Sequence, residues 1–414
     1  MTDTLSANRV LMVLPSHRLV RKAAEAGCRV WSVWDPALRD RTYLDKVAQY
    51  SEQLLLADMD DETALRALIA RTAREHQVTQ VMHLGGVRAM GPVLAEAEAL
   101  GLGANPAHAV RLLSDRGALR ELLRTHPRLR VHARRAADAA GVREAMAHFA
   151  GAPFVVKSAV ASGGCDAAFI RDTHELGRWE RRAAALGSCG PFVIEEYLTG
   201  PQYAVETLSV DGMHQVVGIT AARTTGPPRF VTTSHVHPAP LGVRDEAAIR
   251  SAVCALLDLV AFECGPAHTE VVQTPGGPRI LASRAGLGGG HIPLLVELAS
   301  GTDLEEETFR ALTGRVPMLA SARRTAMIGF FPFSEDRSAP LSDLGGLRAL
   351  PYVRAVEFPT RPGGPVPRTT GHTSHRGFVV VIGAGPEEAA EHLAAACSLL
   401  RVESETEAES EPWP

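Results

Sequence analysis

The sequence predicts an α/β protein whose central part is of the α+β type, and two observations indicate this class. At the N-terminus, the apolar run 9–14 (RVLMVL), a helical pattern and the apolar run 28–35 (CRVWSVWD) form a strand–helix–strand unit, which is typical of a parallel sheet. After Gly151, short apolar runs follow one another across turns such as Asp211-Gly212, which is typical of antiparallel hairpins.

The strand–helix–strand pattern continues to about residue 105. It includes the apolar runs SEQLLLAD and VTQVMHLGG, which are separated by a helical pattern near 61–76 and followed by the helical segment VRAMGPVLAEAEALG. We interpret residues 1–105 as an N-terminal doubly wound parallel α/β domain. Because no G-x-G-x-x-G follows the first strand, a dinucleotide-binding site in this domain has little support.

The remainder of the chain divides into two further domains and a tail. Residues 106–200 begin with one predicted helix over 108–124 and continue with the strand PFVVK, which leads into a glycine-bearing loop. Residues 201–402 contain the predicted hairpins, a helix near 245–263 and the last strand, RGFVVVIG. The tail 403–414 is acidic, and we expect it to be disordered.

Composition and charge exclude several functional classes. The chain has 414 residues, of which 45% are hydrophobic, but it has no run of about 18 apolar residues, so no membrane span is expected. The arginines are dispersed and the net charge is −4, which argues against nucleic-acid binding. The N-terminus lacks the features of a signal peptide and the six cysteines have no CxxC spacing. We therefore expect a cytoplasmic protein with reduced thiols.

Lysine is rare in this chain. Of the 43 basic residues, only Lys22, Lys46 and Lys157 are lysines. A lysine kept where arginine is the usual choice indicates a need for a compact ammonium group. Lys157 ends the strand PFVVK directly before the glycine-bearing loop, where backbone amides and an ammonium group together suit a phosphate.

Two further features point to the same chemistry. Glu195 and Glu196 in VIEEYL are spaced to accept hydrogen bonds from an adenine amine and a ribose. The alternative for them is an exposed edge strand with two solvated carboxylates. Glu270 lies on a strand that is predicted to be buried, ahead of the glycine-rich GLGGGHIP, and a buried carboxylate is unfavourable without a cation or a donor.

Taken in order, these segments resemble the ATP-grasp superfamily, and within it the carboxylate–amine ligases that make dipeptides and similar amides. The resemblance covers nearly the whole chain, and its most specific stretches are PFVVK, VIEEYLTGPQYAVETLSVDG, GITAARTTGPP and GPAHTEV with GLGGGHIP. It implies an ATP-grasp fold, in which an N-terminal α/β domain precedes a split, antiparallel ATP-binding cleft. It also implies small-molecule substrates: ATP phosphorylates a carboxylate, and an amine attacks the acylphosphate.

The resemblance implies roles for individual residues. Arg116 stands where the family has a lysine, and a planar guanidinium is not equivalent to an ammonium group. His235 in TSHVHPAP matches a histidine of the substrate pocket, and Glu270 matches the first magnesium ligand. Nucleotide contacts are implied for Arg116, Lys157, Gly163, Gly164, Glu195, Glu196, Leu198 and Glu206.

One strand departs from the family pattern. Where the family has E-x-N-x-R or E-S-x-x-R, this chain reads ASRAG over 282–286. The second metal carboxylate is replaced by Ala282, an amide ligand by Arg284, and the arginine that steadies the acylphosphate by Gly286. Because magnesium requires oxygen ligands, the two-metal clamp of the family is not expected here. An ion pair between Arg284 and Glu270 is expected to fill the metal position instead.

The sequence leaves three functional hypotheses open. The first is a working ATP-dependent ligase of specialised metabolism, in which Arg284 neutralises triphosphate charge and acts with His235 in catalysis. The second is a protein that keeps the fold but has lost magnesium-dependent ligase chemistry and acts as a binding or partner subunit. The third is a different reaction in the same cleft, with His235 or Cys165. A homodimer is our hypothesis for the assembly, and the acid and amine substrates are left open.

Overall fold

The computed structural model describes residues 8–84, 88–159, 167–188, 190–228, 230–312, 315–331, 337–338, 344–358, 365–366 and 377–399. Gly163, Gly164 and Cys165, which the sequence singled out, lie outside the described residues, and so does the tail 403–414. In the described ranges, three main sheets follow one another along the chain, and residues of all three parts border a large cavity.

Four parallel strands form the N-terminal sheet: β1 Arg9–Val13, β2 Arg29–Trp34, β3 Gln53–Leu56 and β4 Gln80–His83. The helices of this part are α1 His17–Glu25, α2 Arg41–Ala48, α3 Glu62–Glu75 and α4 Met90–Ala99. The strand order is β3-β2-β1-β4, and Leu11, Met12 and Val13 of the central strand β1 are fully buried. Such a strand is typical of a parallel sheet that is covered on both faces. The predicted parallel α/β domain is therefore confirmed.

The central part of the chain is an antiparallel sheet with the order β5-β8-β6-β7, and its strands are β5 Ala133–Ala136, β6 Phe154–Ser158, β7 Ala168–Ile170 and β8 Phe192–Glu196. The helices are α5 Ala107–Ser114, α6 Arg116–Leu123, α7 Ala139–Ala145 and α8 Thr173–Ala185, with a 3₁₀ turn at Met146–Phe149. The single helix predicted over 108–124 is wrong, because the chain breaks at Asp115. The backbone of Asp115 is extended and its side chain accepts the N–H of Ala118, which caps α6 and places Arg116 in its first turn.

An eight-stranded sheet forms the C-terminal part, in the order β13-β12-β9-β10-β11-β14-β18-β16. Its strands are β9 Gln202–Val210, β10 Met213–Thr224, β11 Thr232–His237, β12 Gly265–Thr274, β13 Gly277–Ala285, β14 Thr325–Phe330, β16 Val353–Glu357 and β18 Phe378–Gly383. The short strands β15 Arg337–Ser338 and β17 Pro365–Val366 pair with each other. The helices are α9 Val243–Leu259, α10 Ile292–Ser300, α11 Leu304–Leu312, α12 Leu344–Arg348 and α13 Pro386–Ser398.

The turn between β9 and β10 confirms the predicted hairpin. Asp211 and Gly212 both have positive φ, at 49° and 75°, which is the backbone of a type I′ turn. The antiparallel sheets confirm the predicted α+β central part as well. In the described parts of the chain, no helix is both long and apolar enough to cross a membrane.

Candidate functional site

The cavity has a volume of about 1520 Å³ and lies where the three parts of the chain meet. The N-terminal part contributes His83, the central part Lys157, and the eight-stranded sheet His235 and Glu270. Three strands of that sheet, β9, β12 and β13, lie side by side, so that side chains from all three share a face. Residues from separate regions of the sequence therefore meet in a single space.

Lys157 on β6 belongs to a buried cluster of charges. Its Nζ lies 2.8 Å from Oε2 of Glu195, and Nε of Arg120 lies 2.7 Å from Oε1 of the same carboxylate. Burial disfavours the charged form of Glu195, but the two cations outweigh burial and lower its pKa to about 2. Arg120 also donates to the backbone carbonyls of Ile280 and Leu281, both at 2.8 Å, and so ties α6 to β13 across the cavity wall.

This cluster changes the interpretation of Glu195. Both oxygens of its carboxylate accept hydrogen bonds from side chains of the protein, so Glu195 holds Lys157 and Arg120 in place at the cavity wall. The next residue points to the other side of the strand, because side chains alternate along β8. Glu196 accepts the backbone N–H of His132 at 2.7 Å and lines the cavity. Leu198 also lines it.

Arg116 lies in the first turn of α6 and lines the cavity. Its Nη1 donates to the carbonyl of Ser158 at 3.1 Å, and its backbone N–H donates to the carbonyl of Ala159. Both acceptors follow Lys157 directly in the chain. Arg116 therefore holds the end of strand β6, next to the residue for which the sequence predicted a phosphate contact.

Glu206, for which the sequence predicted a nucleotide contact, is bonded to groups of the protein. The side chain is only 1% exposed and does not line the cavity. One oxygen lies 2.5 Å from Nδ1 of His268, and the other accepts the backbone N–H of Gly288 at 2.9 Å. The physical reason is the strand register: β9 pairs Glu206 with His268 of β12, which directs the carboxylate towards its neighbours beneath the glycine-rich loop.

His268 lies between two carboxylates. Its Nε2 is 3.8 Å from Oε1 of Glu270, on the side opposite Glu206. Burial disfavours the protonated ring, but the charge and hydrogen bond of Glu206, with a smaller effect of Glu270, raise the pKa of His268 to about 9. A protonated imidazole donates from both nitrogens and has no lone pair for a metal ion.

The altered strand differs from the prediction in two respects. Glu270 was expected to be buried, but its side chain is 50% exposed and faces the cavity. Arg284 was expected to form an ion pair with Glu270, but its Nη2 donates to the carbonyl of Leu287 at 2.7 Å, and it forms no ion pair among the described residues. The register explains this difference, because Ala282 pairs with Glu270, whereas Arg284 pairs with His268.

The donors in this cavity fit one magnesium ion but not two. Mg²⁺ binds through one or two carboxylates together with substrate phosphates and water. Glu270 supplies one carboxylate facing the cavity, and its cross-strand neighbour, Ala282, supplies none. Among the described residues, no group of three or more His, Cys, Asp and Glu side chains is placed to hold a metal ion.

His235 lies on β11 and is 8% exposed. Its ring packs edge-on against Phe330, with the ring centroids 5.4 Å apart, and both residues line the cavity. The glycine-rich loop passes close to the ring, because a Cβ atom at Gly290 would stand 2.7 Å from its Nε2. Nearby in the lining, His291 and Phe378 form a second ring pair at 4.1 Å.

Sequence reasoning missed two residues of this site, Arg120 and His268. Arg120 is three residues before Leu123 and one after Leu119, on the buried stripe of α6, where an arginine is unusual. His268 is two residues before Glu270, so the two side chains share a face of the strand. These two spacings are the signals from which both residues can be found.

Two family models match parts of this chain. The model described as "ATP-grasp domain" matches residues 151–284, and the model described as "L-amino acid ligase C-terminal domain 2" matches residues 339–405. A curated relative, "Uncharacterized protein y4rH" of Sinorhizobium fredii, is 29% identical over 257 residues, which are 60% of this chain. The match spans 52% of that relative, so the chain spans about half the length of the curated relative it matches.

Solved structures share the fold across nearly the whole chain. The L-amino acid ligase from Bacillus licheniformis has a TM-score of 0.80 and 20% identity, and the match covers 97% of this chain and 99% of that one. The biotin carboxylase domain of the 2-oxoglutarate carboxylase from Hydrogenobacter thermophilus, solved with ADP and magnesium, has a TM-score of 0.68 and 13% identity. That match covers 96% of this chain and 90% of that one.

The shared fold and the match to the ATP-grasp domain model confirm the predicted fold class. Within this class, the chain carries an ATP-grasp domain followed by the C-terminal domain 2 of L-amino acid ligases. The matched models and the solved structures confirm the predicted resemblance to ATP-grasp carboxylate–amine ligases.

Proposed function

We propose that the protein is an ATP-dependent ligase that joins a small carboxylic acid or amino acid to an amine or a second amino acid. The observation that carries this proposal is the convergence of Lys157, Glu270 and His235 on one cavity in a chain with an ATP-grasp domain. In the proposed reaction, a carboxylate oxygen attacks the γ-phosphorus of ATP and ADP leaves. The amine nitrogen then attacks the acyl carbon, inorganic phosphate leaves, and the nitrogen loses a proton.

The charges that border the cavity suit a triphosphate. Arg120, Glu195 and Lys157 together carry a net charge of +1, so the cluster as a whole attracts an anion. Lys157 has three N–H donors and uses one of them for Glu195, which leaves two for phosphate oxygens. Two more cations, Arg116 and Arg284, line the same cavity. The Hydrogenobacter carboxylase domain, solved with ADP and magnesium, further supports a nucleotide and a divalent cation here.

We assign the acid and amine substrates to the end of the cavity that contains His235. The lining there includes Phe330, Phe378 and His291, whose rings offer apolar surface with a few polar atoms. Such a lining suits an apolar or aromatic side chain on the substrate better than a charged one. His235 is the side chain at this end that is proposed to contact the reacting groups, with Arg284 as the neighbouring cation.

The test of the nucleotide site is isothermal titration calorimetry with ATP and Mg²⁺. Lys157→Ala is expected to weaken ATP binding at least about tenfold, because it removes a desolvated charge that faces phosphate, whereas Lys157→Arg keeps the charge and loses less. Lys46→Ala is the control, since Lys46 is exposed on α2 and does not line the cavity. Equal ATP affinity in wild type and Lys157→Ala would show that the site is misassigned.

A second function is favoured by the altered strand. Ala282 and Gly286 replace a metal carboxylate and an arginine of the ligase pattern, which suits a binding or partner subunit that keeps the cleft without ligase turnover. One measurement distinguishes a ligase from a binding subunit: the formation of ADP from ATP in the presence of pooled amino acids. A ligase converts ATP to ADP over many turnovers when acid and amine are both supplied, whereas a binding subunit retains ATP unchanged.

The proposed setting is that of a cytoplasmic enzyme of specialised metabolism whose partners are small molecules. No nucleic acid or membrane is part of the proposal, and a homodimer stays the proposed assembly. The experiment for the assembly is sedimentation equilibrium of the full chain, for which the expected mass is twice 44.2 kDa. A single mass of 44.2 kDa at all concentrations would contradict a dimer.

A further inference from the structure

The strand β13 brings a permanent cation to a position where the ligase pattern has an uncharged metal ligand. Arg284 is exposed to the cavity, and one N–H of its guanidinium donates to the carbonyl of Leu287. A guanidinium has five N–H donors and stays charged at all physiological pH values. Four donors thus remain for an anionic ligand. Ala282 lies two residues before Arg284 on the same strand and pairs with Glu270. Its methyl side chain provides no metal ligand there.

Three other carboxylates near this cavity, Glu206, Glu195 and Glu357, are not placed to supply the missing ligand. Glu206 is bonded through both oxygens, to His268 and to the backbone of Gly288. Glu195 is likewise bonded through both oxygens within the Arg120 cluster. Glu357 lines the cavity, but it lies on β16, six strands away from β12 in the sheet. The two ions of a two-metal site lie only about 4 Å apart, so they must share nearby ligands.

The backbone at Gly286 supports the same conclusion. Gly286 has a φ of 128°, a conformation that residues with side chains rarely adopt. An arginine at this position, as in the ligase pattern, would be strained. Arg284, at the end of β13, brings a cation two residues before a position where the present backbone does not favour an arginine.

We propose that this site binds the triphosphate of a nucleotide with a single divalent cation held by Glu270, and that the guanidinium of Arg284 supplies the charge that a second cation brings in a two-metal site. This inference rests on the proposed nucleotide site. Arginine suits the role because its planar fork binds two phosphate oxygens at once and needs no protein carboxylate.

The first experiment counts the bound metal ions. Mn²⁺ is titrated into the protein saturated with the non-hydrolysable analogue adenylyl imidodiphosphate, and free Mn²⁺ is followed by electron paramagnetic resonance. One Mn²⁺ per bound nucleotide is expected in wild type. Two are expected in the double variant Ala282→Glu, Arg284→Asn, which restores the second carboxylate and the amide while keeping Gly286.

The second experiment measures the contribution of Arg284 to nucleotide affinity at saturating Mn²⁺. Arg284→Ala is expected to weaken binding of the analogue at least about tenfold, and Arg284→Lys to recover part of that loss. The control is Arg223→Ala: Arg223 is exposed on β10 of the same sheet, but only its neighbours Ala222 and Thr224 line the cavity. That variant is expected to bind as wild type does.

The outcomes separate this inference from the proposed function. Two Mn²⁺ ions per nucleotide in wild type would overturn the single-metal site while leaving the ligase proposal in place. Unchanged nucleotide affinity in Arg284→Ala would overturn the role of the arginine in the same way. If the analogue does not bind to wild type at all, both the inference and the proposed function are wrong.

Discussion

At the scale of single residues, the clearest feature is the arginine that the sequence reasoning overlooked. Arg120 and Glu195 are 4% and 2% exposed at their side chains and are bonded to each other. Removing one partner of a buried ion pair leaves the other charge without compensation, and such changes cost about 3–5 kcal/mol. Here Lys157 remains beside Glu195 and moderates the loss.

We therefore expect Arg120→Met to reduce the free energy of unfolding by about 2–4 kcal/mol, measured by urea denaturation. The matched control is Arg124→Met on the same helical segment. Among the described residues, Arg124 pairs only with the exposed Glu121, and it is itself 65% exposed, so its loss should cost less than about 1 kcal/mol. The double variant Arg120→Met, Glu195→Gln should recover part of the loss. Equal effects of Arg120→Met and Arg124→Met would show that the buried pair is not formed.

At the scale of the elements, the pairing of β10 with its neighbours creates a buried neutral histidine. His237 on β11 is 3% exposed, and its Nδ1 lies 3.0 Å from the hydroxyl of Thr220 on β10. The ring packs directly on Gly218, where a Cβ atom would stand 2.4 Å from it. Burial lowers the pKa of His237 to about 4, although the charge of Glu206 partly opposes this effect.

This pKa predicts a loss of stability in mild acid. The folded pKa lies below the unfolded value of about 6.5, so between these values the unfolded chain binds a proton that the folded chain does not. The contribution of His237 is therefore present above about pH 6.5 and falls as the pH drops towards 4. At pH 5 we expect a loss of roughly 2 kcal/mol relative to pH 7.

The measurement is urea denaturation of wild type and His237→Gln at both pH values. Glutamine does not titrate, so the difference between the two proteins should become smaller as the pH falls. A difference that stays constant from pH 7 to pH 5 would mean that His237 is not a buried neutral group in the folded protein.

At the scale of the whole molecule, charged pairs join the N-terminal domain to the C-terminal lobe. Nζ of Lys22 on α1 lies 2.5 Å from Oδ2 of Asp303, and Nε of Arg18 lies 2.5 Å from Oε2 of Glu305 on α11. The side chains of Lys22 and Asp303 are 20% and 15% exposed. Burial raises the pKa of Asp303, but the bond from Lys22 and backbone donors lower it overall. A lysine here, as at position 157, makes a close bond to a single carboxylate.

We expect Lys22→Asp to weaken the docking of the two domains and to lower the free energy of unfolding by about 1–3 kcal/mol, with faster hydrogen exchange in α1 and α11. The charge-swapped double variant Lys22→Asp, Asp303→Lys should restore most of the stability. Arg21→Met is the control on the same helix, because Arg21 is 44% exposed and its partner in the described part of the chain is Glu25, also on α1. Hydrogen exchange that does not change in Lys22→Asp would argue against this contact.

Local signals explain which parts of the fold were predictable. The β9–β10 turn follows from Asp211-Gly212, because few residue pairs adopt two consecutive positive φ angles. The break at Asp115 was missed because helical periodicity continues across it, and only the capping bond to Ala118 reveals the new helix start. The turn at Asp211-Gly212 depends on two adjacent residues. The helix break at Asp115 depends also on the direction in which the chain continues after Asp115.

The sequence by itself determined the fold class, because strand periodicity and local motifs are properties of short segments. The resemblance to the ATP-grasp ligases implied that Lys157, Glu270 and His235 lie around one cleft. It also showed that residues 282–286 lack the two-metal pattern.

Only the tertiary structure decided what Glu195, Glu206 and Arg284 contact. The partner of each charged side chain is either distant in sequence or determined by the register of paired strands. Glu195 bonds to Arg120, and Glu206 bonds to His268, with which it is paired across β9 and β12. A shift of one residue in register turns a side chain to the opposite face of a sheet. The sequence therefore identifies the charged groups. Strand pairing determines which of them face the cavity and which form ion pairs inside the protein.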